Sequence, residues 1–148
     1  MWTLSFVYAM FFFCLDKYVI DPRTGKQYIS LDTETLNHDI NQEICRTVGG
    51  HLPEPRDEGE NLFLSRLGAD RRFVLGMKED KGIKPKYSFD SDGSPVGDWA
   101  NKVWPTGDKS FPCVGMVFNG PNWFDFPCES SRSYDNENLI VVICQKGE

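Results

Sequence analysis

Two cysteines enclose a stretch that reads as a hairpin, and that pair constrains the rest of the chain. Between Cys113 and Cys128 lie two short apolar runs, 114–118 and 123–126, separated by Asn119, Gly120, Pro121 and Asn122. Asn-Gly between β-prone runs marks a tight turn, because both residues tolerate positive φ. Antiparallel strands closed by such a turn bring their outer ends together, so a Cys113–Cys128 bridge is geometrically natural. Closing a loop of this size contributes about 3 kcal/mol in the chain-entropy account. Asp125 is the one acid inside the hairpin and stands between Phe124 and Phe126.

The chain carries five cysteines in 148 residues. Residues 2–15 are apolar apart from Thr3 and Ser5, and Asp16 and Lys17 end the run. About 14 apolar residues are too few to span a bilayer easily but suit the core of a signal peptide. Residues 1–15 therefore read as a signal peptide, 16–25 as a short N-terminal segment and 26–148 as the folded domain of a secreted, extracellular protein. A buried N-terminal strand is the competing reading, since no Lys or Arg precedes the run. Cleavage near Leu15 removes Cys14 and leaves Cys45, Cys113, Cys128 and Cys144. Four cysteines allow three connectivities. Hairpin closure selects Cys113 with Cys128, which leaves Cys45 for Cys144. A zinc site is the rival, but the chain has no Cys-x-x-Cys, and its two histidines, His38 and His51, are not spaced with the cysteines.

Composition narrows the function. The formal charge is −6 with no basic run, which argues against a nucleic-acid partner, because phosphate binding needs clustered Lys and Arg. An aromatic content of 14% argues for a packed core. Residues 26–31 predict a first strand. Leu36, Ile40, Ile44 and Val48 recur every four residues and predict an amphipathic helix, capped by Asn37 or Thr35 and ended by Gly49-Gly50. Asp57 and Glu60 predict a capping box opening a second helix, with Phe63, Leu64 and Leu67 on its buried face. Residues 72–77 form a continuous apolar run, predicted to be a central strand, and 139–143 a buried last strand. Between them, 81–112 is rich in Gly, Pro, Asp and Ser but punctuated by Tyr87, Phe89, Trp99 and Trp104. A loop-rich stretch of that length in a small domain is usually functional or disordered, and its aromatics argue against disorder.

Taken together, the order and spacing of these features resemble the C-type lectin-like domain over about residues 26–146. The matching residues are Cys45-x-x-Val48-Gly49-Gly50-His51-Leu52, then Glu60-Asn61-Leu62-Phe63-Leu64 and Val74-Leu75-Gly76-Met77. They continue with Phe89-Asp90-Ser91-Asp92-Gly93-Ser94-Pro95 and Trp99, then Cys113-Val114, Trp123-x-Asp125 with Cys128, and Ile143-Cys144. The resemblance implies an α+β fold of two helices and antiparallel sheets, in which the terminal strands meet and the long loop carries the binding site.

The resemblance also implies where calcium and sugar would bind. The family's cage uses a Glu-Pro-Asn or Gln-Pro-Asp triplet, an acid just before the third cysteine, and the Asn and Asp of a Trp-Asn-Asp. Calcium needs six to eight oxygens. Here the triplet position reads Trp104-Pro105-Thr106, the acid position is Phe111 and the Asn position is Phe124. Asp125 alone is retained, with Thr106 and Asp108 as weak substitutes. No metal or other cofactor is therefore expected at the usual site. The family's Trp seven residues before the first cysteine is His38, a packing substitution.

No Gly-rich phosphate loop, Gly-x-Ser-x-Gly or His-Glu-x-x-His occurs, so no enzymatic activity is expected. The reading is a secreted recognition module that binds a glycan or an extracellular protein. Its candidate ligand-binding residues are Trp99, Trp104, Thr106, Asp108 and Asp125. Trp99 matches a family residue that packs beneath the loop, whereas Trp104 has two readings of equal weight, exposed as an interface anchor or folded into the core of the loop. The alternative is a calcium-dependent carbohydrate-binding lectin.

Overall fold

The computed structural model describes residues 18–33, 35–80, 86–104, 111–117, 120–129 and 140–147. The expected signal segment with Cys14, the candidate ligands Thr106 and Asp108, Asn119 of the hairpin turn and Leu139 lie outside the described residues.

The elements run β1 (Val19–Ile20), β2 (Gln27–Asp32), α1 (His38–Thr47), α2 (Glu58–Gly68), β3 (Phe73–Glu79) and β4 (Tyr87–Phe89). A 3-10 helix (Asp98–Val103) follows, then β5 (Cys113–Met116), β6 (Trp123–Phe126) and β7 (Val141–Lys146). Two antiparallel sheets result, one ordered β1-β2-β7 and the other β4-β3-β5-β6. The terminal strands meet, with β2 paired to β7 from Gln27 opposite Lys146 to Asp32 opposite Val141. β3 is internal to its sheet, as its apolar run predicts. The architecture is α+β.

Both expected disulfides are present, Cys45–Cys144 and Cys113–Cys128. The first ties α1 to the last strand. The second closes the β5–β6 hairpin, whose register sets Met116 opposite Trp123 and Cys113 opposite Phe126.

Strand alternation divides the interior. Phe73, Leu75, Met77, Val114, Met116 and Trp123 share one cluster, while Val74, Cys113, Phe126, Val142 and Cys144 belong to another. Tyr28 and Ile29, successive residues of β2, enter one cluster each.

The helices correct two expectations. α1 begins at the predicted Asn37 cap, which accepts the N–H of Ile40. Of the predicted stripe, Leu36 is buried and Ile44 and Val48 pack partly buried against the core, but Ile40 is 50% exposed, and the buried residues of the helix itself are His38, Asn41, Gln42 and Cys45. The reason is that α1 packs against loop backbone, whose polar groups need partners. Asn41 donates to the Thr35 carbonyl, and Gln42 accepts the Leu52 N–H. In α2, Asp57 caps by accepting the Glu60 N–H, but Glu60 does not return the bond to Asp57. Its carboxylate accepts the Arg56 N–H and pairs with the buried Lys26 ammonium. Phe63 and Leu67 are only partly buried beside Leu64.

Candidate functional site

The long stretch after β3 is built on aromatic packing. β4 pairs with the end of β3, and the chain returns along the outer edge of β4 through the Ser88–Pro95 bridge. The 3-10 helix then presents Trp99 edge-on to Trp123, with ring centroids 5.5 Å apart. Trp104 meets Trp123 at 5.7 Å and Tyr87 at 5.4 Å. Trp104 is thus half-buried in an aromatic row, the loop-core reading of the two that its sequence position left open. Trp123 is fixed in turn, its indole N–H donating to the Oδ1 of Asn61 at 2.8 Å. The Nδ2 of Asn61 donates to the Pro121 carbonyl. α2 therefore holds both the aromatic row and the tip of the hairpin.

Asp125 lies two residues from Trp123 on β6 and projects to the same side. Its Oδ2 accepts the backbone N–H of Phe111 at 2.7 Å. The Tyr87 hydroxyl donates to the carbonyl of Phe111 at 2.8 Å. The backbone of Phe111 is thus held from two strands, while its ring is 44% exposed. Phe124 points to the opposite side of β6. Its ring lies over Gly115, where a Cβ would come within 2.8 Å of it. Phe126 and the Arg72 guanidinium each stand 5.7 Å from the same ring.

The structure therefore brings together Trp99, Trp104 and Asp125 of the predicted set. Sequence reasoning missed Tyr87 and Phe111 as partners. One signal was available: an acid inside a short β-strand between two Phe residues needs a donor from elsewhere. His38 is buried, its Nε2 2.8 Å from the Oδ2 of Asp90, and its backbone N–H donates to Cys128.

The described residues at the calcium-ligand positions offer the ion few oxygens. Phe111 and Phe124 supply carbon at two ligand positions, and one Asp125 oxygen is already held by a backbone amide. Among the described residues, no group of three or more His, Cys, Asp or Glu converges to hold a metal.

Solved structures superpose on nearly the whole chain. The carbohydrate-recognition domain of mouse scavenger receptor C-type lectin aligns with a TM-score of 0.66 and 21% identity, covering 88% of this chain and 93% of that one. The chain folds as a C-type lectin-like domain. A calcium-independent type II antifreeze protein shares this C-type lectin-like fold, with a TM-score of 0.65 and 23% identity over 88% of this chain and 91% of that one. So does the C-type carbohydrate-recognition domain of cow CD23, crystallised in the presence of a GlcNAc2Man3 oligosaccharide. Its TM-score is 0.67 at 18% identity, covering 88% and 92% of the two chains. Bovine pulmonary surfactant-associated protein D is 28% identical to this C-type lectin-like domain over 106 residues, 70% of this chain. The chain spans only 26% of that relative's length. No protein-family model matches the sequence.

Proposed function

We propose that this C-type lectin-like domain is a secreted, non-enzymatic recognition module. It binds a glycan or an extracellular protein through its long-loop face without the usual calcium cage. The observation that carries this reading is the engagement of Asp125. The one retained family calcium-ligand position is a hydrogen-bond acceptor for the Phe111 backbone, and the neighbouring ligand positions are aromatic. Trp99 and Trp104 support that face from below, and Phe111 is its exposed apolar feature. Lectin and antifreeze domains of the same fold support recognition over catalysis. Secretion is in keeping with two disulfides, and among the described residues no helix is long and apolar enough to cross a membrane.

A glycan array, run with the full chain in millimolar calcium and again with chelator, tests the reading. Identical binding patterns in the two buffers, lost on Phe111→Ala, are expected. A pattern abolished by chelator would restore the calcium-dependent alternative.

A further inference from the structure

The turn between β1 and β2 carries the only Asp-Pro step in the chain, Asp21-Pro22. Its hydrogen bonds converge on the Asp21 carbonyl. The N–H of Thr24 donates to that oxygen at 3.2 Å and the N–H of Gly25 at 2.7 Å. Gly25 does so at φ 79°, in the region that favours glycine. The Asp21 N–H donates to the Lys26 carbonyl and fixes the residue from its other side.

The two carboxylate oxygens of Asp21 differ. Oδ1 accepts the Arg23 N–H at 3.0 Å. Oδ2 is buried with no hydrogen-bond partner, and the whole residue is 3% exposed. An unpaired buried carboxylate oxygen is costly to keep, and it is the one free to act as a nucleophile. Arg23 in the turn, Lys26 before β2, and Asp57 and Glu60 at the start of α2 are the charged groups around it. Arg23 pairs with Asp57 and Lys26 with Glu60, so neither cation takes Oδ2. Burial, then Glu60 and Asp21, hold the neighbouring Tyr28 hydroxyl neutral by raising it above its ordinary value. Pro22 is exposed, so solvent reaches its nitrogen.

We propose that the Asp21–Pro22 peptide bond is a site of self-cleavage driven by the Asp21 carboxylate. Oδ2 attacks the carbonyl carbon of its own residue and closes a five-membered ring. The carbonyl oxygen takes up negative charge where the Thr24 and Gly25 N–H groups hold it. As the C–N bond breaks, its electron pair goes to the Pro22 nitrogen, which takes a proton from solvent and leaves as a secondary amine. Water then opens the cyclic anhydride and leaves Asp21 with free α- and β-carboxyl groups. The sum is hydrolysis of one peptide bond, with water the only co-reactant. Nucleophile and target are held in one residue, which supplies proximity.

The cut separates β1 from the domain. Among the described residues, the Val19–Tyr28 and Ile20–Gln27 pairs and the Tyr18 hydroxyl on the Val48 carbonyl then hold the released piece. Neither disulfide spans the bond.

The test is a time course of the purified full chain with protease inhibitors at about pH 4.5, near the ordinary carboxyl range. Mild acid supplies the proton for the leaving nitrogen. Intact-mass spectrometry and N-terminal sequencing read the products. A synthetic peptide of residues 16–27 is the reference for the same Asp-Pro step without the folded turn. The full chain should yield a new N-terminus at Pro22, at a rate independent of protein concentration. That rate should exceed the peptide's by about a hundredfold, the scale of an oxyanion donor. Asp21→Glu, which would need a six-membered ring, and Pro22→Ala should each slow cleavage at least about tenfold, with unchanged far-ultraviolet circular dichroism. An intact chain, a rate equal to the peptide's, a rate that rises with concentration, or undiminished cleavage in either variant would each overturn the proposal.

Discussion

The Oδ2 of Asp125 accepts the backbone N–H of Phe111 at 2.7 Å, across a sequence separation of 14 residues. This bond joins the edge strand β6 to the chain entering β5, just outside the Cys113–Cys128 bridge. Hydrogen bonds to charged groups contribute about 1.5–3 kcal/mol, and partial exposure puts this one at the low end. Asp125→Ala should lower unfolding free energy by about 1–1.5 kcal/mol. Asp125→Asn, which keeps an acceptor, should lose about half as much. Urea denaturation of the three proteins checks both values, and an Ala variant as stable as the parent contradicts the clamp.

Asn61 is fully buried and bonded at both ends of its amide, to the Trp123 indole and the Pro121 carbonyl. Asn61→Leu keeps the volume but leaves both partners unsatisfied. The expected cost is about 2–4 kcal/mol. Near-ultraviolet circular dichroism should change with it, because the Trp123 ring loses its fixed orientation.

Much of the fold was legible from local pattern. The two apolar runs around Asn119-Gly120 and the cysteines at their ends point to the hairpin and its bridge. The four-residue recurrence of Leu36, Ile40, Ile44 and Val48 locates α1 and three of its core contacts but misplaces Ile40 and misses the buried polar residues. Periodicity reports which side of a helix is apolar, and α1 buries Asn41 and Gln42 against loop carbonyls and amides that no pattern reveals. The site was legible in part for the same reason. Asp125 and the tryptophans are visible as residue types. The clamp on Phe111 depends on Tyr87, 24 residues earlier in the chain, and only the folded sheet brings those groups together.

Ala69 caps the end of α2 at φ 52°, in a region that favours glycine. A non-glycine residue there carries about 1–2 kcal/mol of strain. Ala69→Gly relieves that strain and adds about 0.4–1 kcal/mol of unfolded-state entropy. The net effect expected is a gain of about 0.5–1 kcal/mol, read as a higher urea midpoint with an unchanged slope.

Acid should destabilise the fold in a defined window. The Arg23 guanidinium, and then the Glu60 backbone N–H, hold the Asp57 carboxyl below its ordinary value of 3.8. Asp92 is lowered to about 2, chiefly by the backbone and hydroxyl of Ser94. A carboxyl depressed in the folded state contributes stability above its unfolded value, and that contribution is lost as pH falls through the folded one. Melting temperature should therefore decline from about pH 4 towards pH 2. Asp57→Asn keeps an N-cap acceptor but removes the ion pair, so it should flatten that decline. Both carboxyls are largely exposed, and the effect should shrink in high salt.

Calcium addresses the central claim most directly. Ligand that binds the native state stabilises it by mass action, about 2.7 kcal/mol at a hundredfold excess over Kd. Thermal unfolding of the full chain in millimolar calcium and in chelator, paired with calcium calorimetry, measures that linkage. The account predicts superimposable melting curves and no heat of binding, because Phe111 and Phe124 stand where oxygens would be needed and Asp125 is held by a backbone amide. A rise of several degrees in calcium, with a saturable binding heat, would contradict it.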